Sequence, residues 1–338
     1  MSAKEWRAEY TAKPAYWLES VREDISKVES FLSEVVHSKV QTINDVSDHL
    51  LSAGGKRLRP ALVILSSRTA LGTGAKHERV TSVAAAVELI HMASLMHDDV
   101  IDHSDSRRGR VTANAFWGNR ISILSGDYIL AKAFGLLLKD NNQRIMDTIA
   151  DTTTRMSEIE VLQSICEHSI DKWRKYYWEI VRYKTAGFMS ACCRCGAILS
   201  GADSSTEESL AEYGMDLGMA FQLTDDILDI AGEQDVTGKP IGSDLREGKF
   251  TLPVLLALDS IPEDEKQSVY KTLEKSENTE DDVRVLCEKI RSLGAIESAR
   301  EQAKSFIESA NDHLKTLPSS DARDALISLS SNILYRTR

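Results

Sequence analysis

The sequence predicts an all-α protein, and three observations carry that prediction. The prolines stand at positions 14, 60, 240, 253, 262 and 318, so the stretch from 61 to 239 has none. Proline lacks a backbone donor and clashes inside a helix, so its absence permits long uninterrupted helices. Within 80–102 the positions Val83, Val87, Ile90, Ser94 and Ile101 recur at intervals of three, four or, at the last, seven residues, the spacing of one helix face. The apolar–polar alternation that strands need is scarce along the chain.

In chain order, helical patterning covers 80–102, 121–138, 142–167, 173–199 and 207–230. Ser205-Thr-Glu-Glu208 reads as a helix start after the loop-like 199–204, with an acceptor side chain ahead of acidic first-turn residues. The longest loop-like segment is 233–250, carrying Gly238, Gly242, Gly248 and Pro240, with Lys239 and Lys249. Its glycines and lysines suit a mobile, phosphate-gripping lid. No linker divides the chain and no repeat of solenoid period is present. One domain over 1–338 is expected, with its core at about 20–335.

Composition narrows the function. The net charge is −11 with 41 basic and 52 acidic residues, which argues against a nucleic-acid binder. A site for an anionic substrate must therefore be built locally. Five cysteines in 338 residues are too few, and odd in number, for a disulfide scaffold. A reduced, cytoplasmic setting is expected. The first residues lack the apolar core of a signal peptide. No run approaches the roughly 20 apolar residues of a membrane span, so no stable membrane insertion is expected.

Two acidic motifs carry the chemistry. Asp98-Asp99-Val100-Ile101-Asp102 has the pattern Asp-Asp-x-x-Asp, and Asp225-Asp226-Ile227-Leu228-Asp229 repeats it. On a helix, Asp98 and Asp102 share a face, as do Asp225 and Asp229. Both motifs sit in apolar segments, where uncompensated carboxylates are costly and like charges repel. One such motif alone reads as a solvated helix end. Two, each inside an apolar helix, read as a site for Mg2+, whose all-oxygen ligands include carboxylates and substrate phosphates.

The cations are clustered as well. Gly54-Gly55-Lys56-Arg57-Leu58-Arg59-Pro60 is a glycine turn carrying three cations, and Arg107-Arg108-Gly109 closely follows the first acidic motif. Lys184-Thr185 lies in a helical stretch. Arginine forks match phosphate oxygens and lysine adds a point charge. The glycine turn is not a Walker A loop. Together these residues imply a diphosphate substrate held by metal and cations in an apolar helical cavity.

With these motifs in this order, the chain resembles the trans-isoprenyl diphosphate synthases, the polyprenyl synthetase family, over roughly 20–335. The resemblance implies a bundle of mostly antiparallel helices around a deep central cavity, usually as a homodimer. It implies that Asp98, Asp102 and Asp225 ligate Mg2+, about three ions per site, with Asp99, Asp226 and Asp229 as supporting or shared ligands. Arg107, Lys184, Thr185, Gln222, Lys239 and Lys249 would serve the allylic diphosphate or the reacting centre. Lys56, Arg59, His91 and Arg108 would hold isopentenyl diphosphate, with Arg57 close by. No side chain is an obvious general base, so the departing diphosphate is expected to take the proton. The partners would be isopentenyl diphosphate and allylic prenyl diphosphates, and the product could be delivered to a membrane.

Product length is read at the cavity floor, which in this family lies just upstream of the first acidic motif. Ala93 and Ser94 are small there and Ile90 is not aromatic, so the tunnel stays open. Each buried CH2 favours elongation by about 0.8 kcal/mol, which predicts a long chain of about thirty to fifty carbons. A farnesyl or geranylgeranyl product is the alternative. A class I terpene cyclase is less favoured, because the second Asp-Asp-x-x-Asp and the glycine turn are unlike one. A non-enzymatic partner subunit would be expected to have lost the acidic motifs. Glu88-Leu-Ile-His91 has the Glu-x-x-His of a di-iron bundle but lacks the second copy. Cys192, Cys193 and Cys195 read as small buried hydrophobes. The aromatic cluster Trp173, Tyr176, Tyr177 and Trp178 reads as helix packing or a dimer contact.

Overall fold

The computed structural model describes residues 16–70, 76–107, 109–231, 241–275 and 278–334. Nearly all of it is helix. The order is α1 (Tyr16–Val35), α2 (Gln41–Ser52), α3 (Leu58–Thr69) and α4 (His77–Ile101), then a hairpin of β1 (Ser106–Arg107) and β2 (Arg110–Val111). There follow α5 (Ala113–Trp117), α6 (Asn119–Asp140), α7 (Gln143–Cys166) and α8 (Ile170–Val181). A single π turn, Arg182–Ala186, joins α8 to α9 (Gly187–Ser200). The remainder is α10 (Ser204–Ala231), α11 (Ser243–Arg246), α12 (Leu252–Ser260), α13 (Glu263–Leu273), α14 (Glu280–Ser292), α15 (Ala295–Lys315) and α16 (Asp321–Leu334).

The prolines explain much of this division. Pro60 and Pro253 sit in the first turns of α3 and α12, Pro262 caps α13, and Pro318 follows α15. Those are the places where the missing donor costs little. Two side-chain caps fix other starts: Asn142 accepts from Arg144 and Ile145 N–H groups at α7, and Thr279 forms a capping box with Asp282 at α14.

The two helices that will carry the acidic motifs lie on different sides of the bundle. α4 packs on α3 and α6, whereas α10 packs on α9 and α15. α10 feeds both apolar clusters, with Leu210, Tyr213 and Leu217 in one and Leu223, Ile227 and Ile230 in the other. α4 and α6 are long and apolar enough to cross a membrane by length and composition, although neither holds an unbroken apolar run of that length. α4 is largely enclosed by its neighbours. α6 leaves Ile123, Leu124 and Leu138 exposed.

Close helix approaches depend on glycine. A Cβ on Gly218 of α10 would collide with Ala186 Cα in the π turn, and one on Gly196 of α9 would collide with the Val63 carbonyl of α3. Neither neighbour is a flexible side-chain end. We expect Gly218→Ala to destabilise the protein by about 1–3 kcal/mol through overpacking, read as a lower melting temperature. A variant as stable as the parent would mean that the two elements can part freely.

Candidate active site

Both acidic motifs stand near helix C-termini and show the same burial pattern. Asp98 and Asp102 are half-buried with Asp99 buried between them; Asp225 and Asp229 are half-buried with Asp226 buried between them. In each motif the i, i+4 pair is thus the more accessible and the middle aspartate the more buried.

The buried aspartates have side-chain partners. Arg107 Nε donates to Asp99 Oδ1 at 2.7 Å. Arg107 is held there by the hairpin, whose base is tied to the end of α4: Thr112 Oγ1 and Asn114 Nδ2 both donate to the Ser104 carbonyl. Asp226 accepts from the Tyr177 hydroxyl at 2.6 Å and from Gln222 Nε2 at 2.9 Å. The Thr185 hydroxyl donates to Gln222 Oε1 at 2.7 Å. That chain commits the Thr185 proton to Gln222. Lys184 and Thr185 lie in the π turn, a departure from α-helix often found at functional sites. Lys184 Nζ donates to Glu160 and Gln163 of α7 at 2.9 and 3.1 Å.

Asp229 anchors the loop after α10. It accepts from the Ser243 hydroxyl and N–H and from the Asp244 N–H at 2.6–3.2 Å, at the N-terminus of α11. The chain then turns at Gly248, whose carbonyl accepts from the His168 N–H. Lys249 follows and reaches across to Asp102 Oδ1 at 3.1 Å and to Glu247 at 2.6 Å. Burial alone would lower the Lys249 pKa, but Glu247 and Asp102 raise it above the ordinary lysine value. Lys249 therefore bridges a loop seated on the second motif to the first motif. Lys239 and Arg108 lie outside the described residues.

A cavity opens between α2, the 54–57 turn, α4 and the hairpin. Gly54, Arg57, Glu88, His91, Asp99 and Arg107 are among its lining residues, with His49 and Arg110 at the hairpin side. Lys56 is exposed beside it, and the Arg59 guanidinium lies 5.2 Å from the centre of the Phe188 ring, a cation–π distance. Ile90 and Ala93 are buried on α4, and the Ser94 hydroxyl is returned to the His91 carbonyl at 2.9 Å.

The donor set fits a hard divalent cation. Burial pushes the Asp98 carboxyl up to about 6, with Lys184 opposing it and Glu160 and Asp102 adding to it. Such a carboxylate gains from a cation. Among the described residues no three His, Cys, Asp or Glu side chains converge to hold an ion unaided. Mg2+ keeps waters and shares phosphate oxygens, so protein carboxylates need supply only part of its shell.

The Polyprenyl synthetase family profile covers residues 40–290. The chain belongs to the polyprenyl synthetase family. It is a prenyltransferase, and its family is metal-dependent. The octaprenyl diphosphate synthase of Escherichia coli is 35% identical over 320 residues, 95% of this chain and 98% of that one. A short chain isoprenyl diphosphate synthase of Methanothermobacter thermautotrophicus is 33% identical over 322 residues, 94% of each. A Caulobacter crescentus polyprenyl synthase, solved with calcium and isoprenyl diphosphate, superimposes with a TM-score of 0.92 at 35% identity, covering 98% of this chain and 100% of that one.

Several features escape the sequence reading. Tyr177, which the sequence places in a packing cluster, is buried and donates to Asp226; only its position one residue after Tyr176 in a helix is visible in the sequence. Arg110 and His49 reach the cavity from a two-residue strand and a short helix that periodicity does not reveal. The three neighbouring cysteines are buried and free, in line with their reading as small hydrophobes.

The buried aspartate gives a pH prediction. Burial pushes Asp226 up to about 7, although the Tyr177 and Gln222 hydrogen bonds pull it down. A carboxyl raised above its unfolded value near 4 binds its proton more tightly in the folded state. Its stabilising contribution is present at low pH and is lost as pH rises from about 4 towards 7. In EDTA, Asp226→Asn should flatten the fall in melting temperature between about pH 5 and 8. Equal slopes for parent and variant would contradict this.

Proposed function

We propose that the chain condenses isopentenyl diphosphate with an allylic prenyl diphosphate, head to tail, releasing diphosphate and giving an all-trans product of about thirty to fifty carbons. The observation that supports this reading is Lys249, which spans from the loop seated on Asp229 to Asp102 and so links the two acidic motifs. Bound Mg2+, about three ions per site on Asp98, Asp102 and Asp225, would supply Lewis-acid neutralisation of the leaving diphosphate. Arg107, Lys184 and Lys249, with Lys239, bind and orient that diphosphate. As the allylic C–O bond breaks, the electron pair leaves with diphosphate. The Thr185 lone pairs and the Lys184 carbonyl face the resulting cation, and Gln222 fixes the Thr185 hydroxyl. Lys56, Arg59, His91 and Arg108 hold isopentenyl diphosphate so that its double bond attacks, and the released proton passes to the departed diphosphate.

The long product rests on the small floor residues Ala93 and Ser94 and on relatives such as the octaprenyl synthase. A shorter product is the second reading, favoured by the short-chain relative; identity is nearly equal to both, so the floor residues decide. The chain works as one unit, since α10 supports both apolar clusters. A cytoplasmic homodimer through the exposed apolar residues of α6 and α7, including Leu124 and Ile165, completes the reading, with product passing to a membrane. The test is diphosphate release with Mg2+. Release from farnesyl diphosphate only when isopentenyl diphosphate is present supports the condensation. Release from farnesyl diphosphate alone would favour a cyclase.

A further inference from the structure

We propose that Arg57 and Glu88 form a buried strut that sets the distance between the two walls of the isopentenyl diphosphate site. The inference rests on the reading that Lys56, Arg59 and His91 hold that substrate. Lys56 and Arg59 stand on the turn and first residues of α3, whereas His91 stands on α4. Arg57 lies between the two α3-side cations, and Glu88 lies three residues before His91, on the same helical face.

The guanidinium of Arg57 does not serve the cavity as an open anion-binding fork. Its Nη1 donates to Glu88 Oε1 at 2.8 Å and its Nε donates to Glu29 Oε1 of α1 at 3.1 Å. The Arg57 and Glu88 side chains are each 5% exposed, while Glu29 is half-exposed. Both strut residues line the same cavity as His91 and Arg107. Arg57 also takes a left-handed backbone, φ 48°, at the entry to α3. An arginine holds that conformation only where its surroundings determine it, and here the side chain's two carboxylate partners do so. A buried ion pair is weak evidence for stability compared with apolar packing of the same volume, but its directional hydrogen bonds fix a register. Here that register aligns the glycine turn against α4. The Glu-x-x-His pattern at 88–91 thus has a role without iron: Glu88 positions and His91 binds. Arg57 and Glu88 are positioning residues.

The experiment is steady-state kinetics of Glu88→Gln and Arg57→Lys, with both substrates varied and folding checked by thermal melts. The expected result is a rise of about tenfold or more in KM for isopentenyl diphosphate. KM for the allylic substrate and kcat at saturation should stay within about twofold. Glu29→Gln, at the exposed partner, should change neither KM by more than about twofold. If Glu88→Gln does not fold, Glu88→Asp, which keeps the charge but shortens the strut by one CH2, should show the same selective rise. A folded variant with unchanged KM for isopentenyl diphosphate, or with both KM values raised together, overturns the strut. Lys56→Ala is the control for the underlying reading. If it too leaves that KM unchanged, the site itself is misplaced and the strut falls with it.

Discussion

Asp98→Asn should lower kcat/KM for condensation by about three orders of magnitude, equivalent to about 4 kcal/mol, and should not destabilise the fold. The two expectations have one cause. Asp98 and Asp102 are half-buried one turn apart on α4, while the buried Asp99 accepts from Arg107. Removing the Asp98 charge therefore removes a negative oxygen that a divalent cation needs, with no other residue of that turn placed to replace it. The same charge is expensive to the metal-free protein, because burial pushes its carboxyl up to about 6. A carboxyl raised in this way contributes stability at low pH that is lost as pH rises from about 4 to about 6. The amide cannot ionise. At about pH 8 in EDTA the variant should melt at or above the parent temperature, while its turnover at saturating Mg2+ is nearly abolished. Near-normal turnover would remove Asp98 from the site, and loss of activity through unfolding would make its role structural.

Ala93→Phe should shorten the product to about fifteen or twenty carbons with the rate of the first condensation little changed. Ala93 is 1% exposed on α4, one turn and one residue before Asp98. On the proposed reading, a growing chain that starts at Asp98 would run along this side of α4. Each added isoprene unit gains apolar burial at about 0.8 kcal/mol per CH2, so only a steric block stops it. Phenylalanine there would obstruct that path. Ser94 is the lesser position, because its hydroxyl is already returned to the His91 carbonyl. The check is chromatography of dephosphorylated products from parent and variant. Identical product lengths would place the floor elsewhere.

Much of the fold is legible in the sequence because its signals are local and repeated. The proline-free stretch and the three-to-four spacing mark α4, α6, α7 and α10 within a few residues of their ends. The stretch 173–199 reads as one helix, yet it holds the π turn at Arg182–Ala186. That turn widens where α10 presses on Ala186 through Gly218, a tertiary contact with no local signature. The hairpin at Arg107 is invisible for a related reason: two-residue strands are too short for alternation, and they are held by Ser104, Thr112 and Asn114. At the site, the acidic motifs announce themselves by charge within apolar helices. Which aspartates share a helix face follows from i, i+4 geometry. What each aspartate binds does not: Tyr177 lies 49 residues from Asp226 in sequence, and Lys249 lies 147 from Asp102. The loop-like segment 233–250 is described only from 241 onward, where Asp229 seats its short helix.

The most direct test of the long-chain assignment is the product ladder of the unmodified protein with Mg2+, labelled isopentenyl diphosphate and farnesyl diphosphate. The expected result is a series of dephosphorylated alcohols ending at about thirty carbons or longer, as a tunnel left open at Ala93 and Ser94 requires. Termination at about twenty carbons would contradict the open tunnel while keeping the chemistry, and no elongation would contradict the assignment of the cleft.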